Sequence, residues 1–215
     1  MTHYYPIILK LTGKLCIVIG GGNVAERKVQ SLLECGARVR VVSPKLTARL
    51  RKWADEEKIE LKPDKYEPED LNEAFLVISA TNQEAVNELV SAECFRRGIP
   101  VNVVDAPDKA DFFVPSTVRR GPLSISISTN GKSPLMAKLI REDLESLYGP
   151  EFGDFLDYLG DLRDQIIKNI SDPKRRHKIL STLADRETIR LLREGYLEQA
   201  KERINNVYCS CGNQS

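Results

Sequence analysis

Histidine is nearly missing from this chain: His3 and His177 are the only two among its 215 residues. Neither has metal-ligand spacing, and neither belongs to a Ser or Cys nucleophile motif. A histidine-held metal centre and imidazole-driven nucleophilic catalysis therefore lose their candidates, and a carboxylate becomes the better proton carrier. Five cysteines make no disulfide framework. Cys16 lies in an apolar run and Cys35 and Cys94 in helical patterns, where cysteine serves as a small hydrophobe. Cys209 and Cys211 form a C-x-C in a polar tail without further ligands, so no metal site is expected. An excess of one charge is absent too, with 32 Lys and Arg against 31 Asp and Glu, which excludes a dedicated nucleic-acid binder. The basic run Lys174-Arg175-Arg176-His177-Lys178 has no interleaved aromatics and reads as a solvated helix face. No apolar run approaches the ~20 residues that span a bilayer, so no membrane segment is expected. The start Met-Thr-His-Tyr-Tyr-Pro lacks the basic and apolar regions of a signal peptide, and the expected location is cytoplasmic.

What is present is concentrated in residues 15–26. An apolar run ends in Gly20, Gly21 and Gly22 and passes through Asn23 and Val24 into a helical pattern carrying Ala25. The spacing is G-x-G-x-x-A between a strand and a helix. Such a turn suits a dinucleotide pyrophosphate: Gly20 permits the bend, Gly22 lets backbone approach phosphate, and Ala25 keeps the helix near the sheet.

Strands and helices then alternate. Residues 23–35 read as a helix ended by Gly36, and Ala37 to Ser43 as a second strand. Pro44 is placed in the first turn of a helix bearing Leu46, Leu50 and Trp53. Ile59 to Lys62, Ala74 to Ala80 and Val101 to Val104 supply three further strands. A Thr81–Glu84 capping box opens a helix whose inner face is Val86, Leu89, Val90 and Cys94. The fold class is α/β: a Rossmann-like, doubly wound parallel sheet over residues 1–112. Residues 113–147 form a small α+β segment, with antiparallel strands at 112–118 and 123–128 and a helix opened by Ser133 and Pro134. That helix is expected to hold Leu135, Leu139, Ile140, Leu144 and Leu147 inside. Two strands alone are marginal, so a homodimer is expected to cover them. Residues 148–215 read as a helical domain with apolar faces at Phe152–Ile166, Ile179–Leu183 and Ile189–Leu197, and a polar tail.

Ligands of open parallel sheets bind beyond the strands' carboxyl ends. Asp105 is the first residue past the fifth strand and is a candidate base there, a loop or cap role being the alternative. Asp108 and Asp111 read as solvated. The loop Thr129-Asn130-Gly131-Lys132-Ser133-Pro134 offers hydroxyls, a lysine and a helix N-terminus to a carboxylate-rich ligand, or is simply a well-capped helix start. Arg119 and Arg120 are anion candidates or merely exposed turn residues. An NAD-type acid about 20 residues past the glycines is missing. Val-Val-Ser43-Pro44-Lys45 stands there instead, so Ser43 is left for the ribose while Lys45 and Arg49 suit a 2′-phosphate.

The ordered series of motifs resembles the precorrin-2 dehydrogenase family of siroheme biosynthesis, which includes the dehydrogenase/ferrochelatase module of siroheme synthase. It comprises Tyr5-Pro6-Ile7, Val18 to Lys28, Ala80-Thr81-Asn82 and Val101 to Pro107. Phe112 to Ser116, Arg120 to Leu123, Ser128 to Pro134 and Leu139 to Glu145 complete it. The resemblance implies oxidation of precorrin-2 to sirohydrochlorin with NAD as cofactor, NADP being left open by the residues. It gives Asp105 the role of proton acceptor and the Gly20–Val24 turn, Ser43-Pro44-Lys45 and Ala80-Thr81 that of cofactor cradle. Arg119, Arg120, Ser128, Thr129, Asn130, Lys132 and Ser133 become the groups for a substrate with eight carboxylates, and residues 113–147 the dimer contact. Some members also insert Fe2+; with no Cys/His cage here, iron would be held mainly by substrate nitrogens. The methylation that makes precorrin-2 is expected from another protein, because 215 residues leave no room for the methyltransferase domain of siroheme synthases. Two rival readings are a non-catalytic NAD(H) sensor and a tetrapyrrole carrier.

Overall fold

Alternation of side chains along a strand determines how the first unit is built. In the computed structural model, which describes residues 4–104 and 106–212 (without the side chains of 210–212), β1 is Leu15–Ile19 and is buried throughout. Its residues divide by parity. Cys16 and Val18 face a core with Ala25, Val29 and Leu32 of α1 (Asn23–Glu34) and Leu50 of α2 (Ala48–Asp55). Leu15, Ile17 and Ile19 face a second core with Val90 and Cys94 of α3 (Glu84–Arg97). A strand apolar at every position must be covered on both faces, which is the parallel, doubly wound case. Each fully buried Val or Ile contributes about 1.5–3 kcal/mol.

The sheet has the order β3-β2-β1-β4-β5, every pair parallel, with β2 at Arg38–Val42, β3 at Glu60–Lys62, β4 at Leu76–Ser79 and β5 at Val101–Val103. Burial raises the Cys16 thiol to about 11 and the Cys94 thiol to about 12. Both stay protonated near neutrality and act as core hydrophobes.

Two helix starts differ from the sequence expectation. α2 begins at Ala48, not near Pro44, because the Thr47 hydroxyl accepts from the Leu50 N–H and the Ser43 hydroxyl folds residues 43–45 into a turn. α3 has Gln83 as its N-cap without a side-chain bond, since the Thr81 hydroxyl accepts from the Gln83 N–H instead of capping the helix. On α3, Val90 and Cys94 are buried but Leu89 is 63% exposed, one residue outside the covered stripe.

Residues 115–215 form a separate compact unit. Its antiparallel hairpin is shorter at its start than expected, β6 at Ser116–Arg120 and β7 at Leu123–Ile127. Helices α4 (Pro134–Leu147), α5 (Glu151–Asn169), α6 (Pro173–Leu180), α7 (Arg186–Arg193) and α8 (Leu197–Gly212) follow. Phe152, Phe155, Leu162, Ile166, Ile179, Leu183, Leu191, Leu192, Ala200 and Ile204 make its core. Ile189 and Tyr196, placed on an inner face from the sequence, are exposed. The same is true of Leu135, Leu139, Ile140 and Leu147 on α4, whose apolar face the single chain leaves uncovered. The hairpin turn, Gly121 at φ +51°, lies directly on Gly153 of α5. Among the described residues no helix is long and apolar enough to cross a membrane.

The glycine contact makes a paired prediction. A Cβ at residue 153 would lie 2.9 Å from the Arg120 carbonyl carbon and 3.0 Å from the Gly121 nitrogen. Gly153→Ala should cost about 1–3 kcal/mol by overpacking. Gly160→Ala, on the same helix with nothing within 4 Å, should gain about 0.5–1 kcal/mol. Thermal melts of both variants check this, and equal shifts would contradict the packing.

Candidate functional site

The strand order places β1 between β2 and β4, so successive connections leave it toward opposite sides and open a crevice at the carboxyl ends. The glycine turn lies at that point. Gly20 donates to the Val42 carbonyl at 3.0 Å, Ala80 donates to the Ile19 carbonyl at 2.8 Å, and Thr47 donates to the Gly21 carbonyl at 3.0 Å. The ends of β1, β2 and β4 are thereby stitched together.

No side chain fits inside this stitch. Gly20 has φ +120°, and a Cβ there would lie 2.5 Å from the Ala80 carbonyl oxygen. At Gly21 it would lie 2.0 Å from the Lys45 carbonyl oxygen and 2.9 Å from the Ser43 Oγ. Gly22 is the opposite case, with nothing within 4 Å of such a Cβ. Glycine at 20 and 21 answers to the protein's own packing, whereas the open space at Gly22 faces outward, where a ligand can approach. α1 starts there with Gly22 as N-cap and, like α3 and α5, has no side-chain cap, while α2, α4, α6 and α7 are capped by Thr, Ser or Asp. Its first-turn N–H groups, including those of Asn23 and Val24, are thus presented without a side-chain competitor. Ala25 is fully buried and holds the helix against the sheet. This cradle fits a dinucleotide pyrophosphate.

The flanking loops are held by bonds that no local pattern announces. The Ser79 hydroxyl, fully buried, donates to Asn87 Oδ1 at 2.7 Å, and Asn87 Nδ2 donates to the Thr81 carbonyl at 3.1 Å. This fixes Ala80 and Thr81 beside the glycine turn; Ser79 and Asn87 are positioning residues the sequence reading missed. The Ser43 hydroxyl donates to the Lys45 carbonyl at 2.7 Å, so its proton shapes the loop and is not left for a ribose. Pro44 and Lys45 are exposed.

Beyond β5, Val104 donates to the Ser79 carbonyl at 2.9 Å, and the structure describes the chain again from Ala106. Asp105 itself lies outside the described residues. The loop around it is latched twice. Asn102 Nδ2 donates to the Phe112 carbonyl at 2.8 Å, and Asp111 Oδ2 accepts from the Val101 N–H at 3.1 Å. Asp108 and Asp111 are both exposed, as read from sequence, and Asp111 in addition serves as a latch.

In the second unit the anion candidates separate. Arg120 donates to the carbonyls of Tyr148 (2.8 Å), Arg119 (2.9 Å) and Glu145 (3.2 Å), which makes it a clamp on the C-terminal end of α4 and not a free anion ligand. Arg119 and Lys132 are exposed. The Thr129 hydroxyl donates to the Ser133 carbonyl and accepts from its N–H, both at 3.1 Å. The Ser133 hydroxyl caps α4 through the Met136 N–H, and Ser128 accepts from the Asn130 N–H. Asn130 and Gly131 are both left-handed, at φ 53° and 78°. The hydroxyls that the sequence offered to a ligand are thus occupied in shaping their own loop.

Known proteins resemble this chain in sequence and fold. A family model described as "Putative NAD(P)-binding" matches residues 7–116, and one described as "Sirohaem biosynthesis protein central" matches residues 120–147. The siroheme synthase of Photobacterium profundum is 34% identical over 204 residues, covering 95% of this chain and 44% of that protein. Siroheme synthase 2 of Yersinia enterocolitica is 40% identical over 163 residues, covering 76% of this chain and 34% of that protein. The chain spans less than half the length of these curated relatives. A solved structure, "SirC, precorrin-2 dehydrogenase", matches with TM-score 0.76 and 30% identity, over 94% of this chain and 100% of that one.

The glycines give a graded prediction. Gly21→Ala should destabilise the first unit by about 3 kcal/mol, because the clash is with backbone. Gly22→Ala should cost under about 1 kcal/mol, as for alanine at a helix N-cap. It should nevertheless weaken nicotinamide-dinucleotide binding by about tenfold or more, the steric cost falling on the ligand. Melting curves and calorimetric titration of the two variants separate these effects. Unchanged affinity in Gly22→Ala would contradict the cradle.

Proposed function

Since the chain belongs to the sirohaem-biosynthesis family of NAD(P)-binding proteins, we propose that it oxidises precorrin-2 to sirohydrochlorin with NAD+ as a competent acceptor. The observation that carries this reading is the correspondence of fold over the full length of a precorrin-2 dehydrogenase, together with a glycine cradle whose close contacts exclude side chains. The oxidation removes a hydride and a proton from the substrate, and the nicotinamide, when bound, takes up the hydride. The chain has to supply the rest: a cradle for the pyrophosphate and an acceptor for the proton.

We assign the proton to Asp105. It follows Val104, whose backbone is bonded to Ser79, and it precedes the loop latched by Asn102 and Asp111. With His3 and His177 as the only imidazoles, a carboxylate is the base best placed in sequence for the task. Lys132 and Arg119 are the cations proposed for the substrate's carboxylates; Arg120 serves them only indirectly, by clamping α4.

A second copy of the chain is the proposed cover for α4. Leu135, Met136, Leu139, Ile140 and Leu147 are between 37% and 66% exposed, and the neighbouring hairpin has only its own two strands. An apolar stripe of this kind beside an open hairpin is what an isologous dimer buries.

Anaerobic incubation of the protein with precorrin-2 and NAD+ should develop the sirohydrochlorin absorbance together with that of NADH. Asp105→Asn should bind the dinucleotide and lose about 10²–10⁴-fold in turnover; near-normal turnover would remove the residue from the mechanism. In light scattering after size exclusion the protein should run as a dimer, and Leu135→Glu with Leu139→Glu as a monomer. A monomeric parent protein would refute the dimer.

A further inference from the structure

β5 is the outer strand of the sheet, and its middle residue breaks the apolar pattern of its neighbours. Asn102 lies between Val101 and Val103, opposite Ile78 of β4, and is only 6% exposed. An amide so buried costs free energy unless it is hydrogen-bonded. Its Nδ2 donates to the Phe112 carbonyl at 2.8 Å, ten residues further along the chain. Asp111 meets Val101 twice. Its N–H donates to the Val101 carbonyl at 2.8 Å, and its carboxylate accepts from the Val101 N–H at 3.1 Å. These bonds close residues 101–112 into a ring, and Asp105 belongs to that ring.

The ring is tied down along its course as well. Val104, before Asp105, donates to the Ser79 carbonyl at 2.9 Å, and Ala106, after it, donates to the Val103 carbonyl at 3.3 Å. A short 3-10 turn at Pro107–Lys109 follows, and the Lys109 carbonyl accepts from the Ser91 hydroxyl of α3 at 3.0 Å. The Lys109 ammonium lies 2.9 Å from Glu88 of the same helix. These ties go to β4, β5 and α3. The loop that flanks the glycine turn is held by a different side chain, Asn87, which donates to the Thr81 carbonyl.

With the proton assigned to Asp105, we infer that Asn102 and Asp111 are positioning residues for its transfer. They fix where the base stands by closing the ring that carries it, and they do not hold the dinucleotide. Proton transfer needs the acceptor within hydrogen-bond reach, about 2.6–3.2 Å between heavy atoms. A misplacement of about 1 Å costs on the order of 10²-fold.

Turnover at saturating NAD+ and dinucleotide affinity by calorimetry should therefore separate. Asn102→Ala should lose about 10–100-fold in turnover with its affinity for the dinucleotide unchanged. That unchanged affinity also reports a folded first unit. Asp111→Ala should lose about tenfold, whereas Asp111→Asn, whose amide oxygen can accept the same bond, should stay within about threefold of the parent. The loss must also run through the base. Either alanine variant added to Asp105→Asn should cost nothing further, because no base is left to misplace. A full further loss in the double variant, or a loss that falls on dinucleotide affinity, overturns the positioning role and leaves Asp105 as base. So does an Asp111→Asn variant as impaired as Asp111→Ala. Near-parent turnover in Asp105→Asn alone removes the base assignment, and the positioning role with it.

Discussion

Three strand ends meet at the glycine turn with no space for a side chain, and the rest of the first unit is arranged around that constraint. Gly20 touches the Ala80 carbonyl and Gly21 the Lys45 carbonyl, so the loops after β4 and β2 are drawn against the end of β1. The turn can be this tight because β1 is anchored on both faces by cores that share no residue. α1 then starts at Gly22 without a capping side chain, leaving its first N–H groups to an anion. Sheet order, glycine content and anion site are consequences of one packing arrangement.

The second unit solves a different problem. A hairpin of two short strands cannot bury much by itself, and here it is held by close contact between Gly121 and Gly153 and by the Arg120 clamp on α4. These contacts leave one face of α4 apolar and exposed. The hydroxyl groups of the 128–134 loop are engaged in shaping it, so fewer groups are left to meet a multiply charged substrate than the loop's composition suggests.

Much of this was legible in the sequence because it depends on local periodicity. The unbroken apolar run at 15–19 meant a strand covered on both faces, the alternation of strand and helix meant a parallel sheet, and Ala25 at its spacing from Gly20 meant close helix–sheet packing. What was not legible depends on partners distant in sequence. Nothing near Asn87 signals that it bridges Ser79 and Thr81, and nothing near Asp111 signals its bond to Val101. Arg120 looked like a ligand for anions because its partners, the last carbonyls of α4, lie 25 and 28 residues away. Pro44 was given a helix start that Thr47 supplies, since both residues favour such positions and only the Ser43 turn decides between them. Leu89 and Leu139 show the limit of helical periodicity: it finds an apolar face without saying whether the same chain covers it.

The account stands on the glycine turn being the place where a nicotinamide dinucleotide is held. Amide hydrogen exchange with and without saturating dinucleotide tests that directly. Slowed exchange should be concentrated in residues 20–26 and in the loops at 43–47 and 80–82, with the α7–α8 pair unaffected. Binding that leaves those three segments unchanged would contradict the account, whatever the protein's affinity for the cofactor.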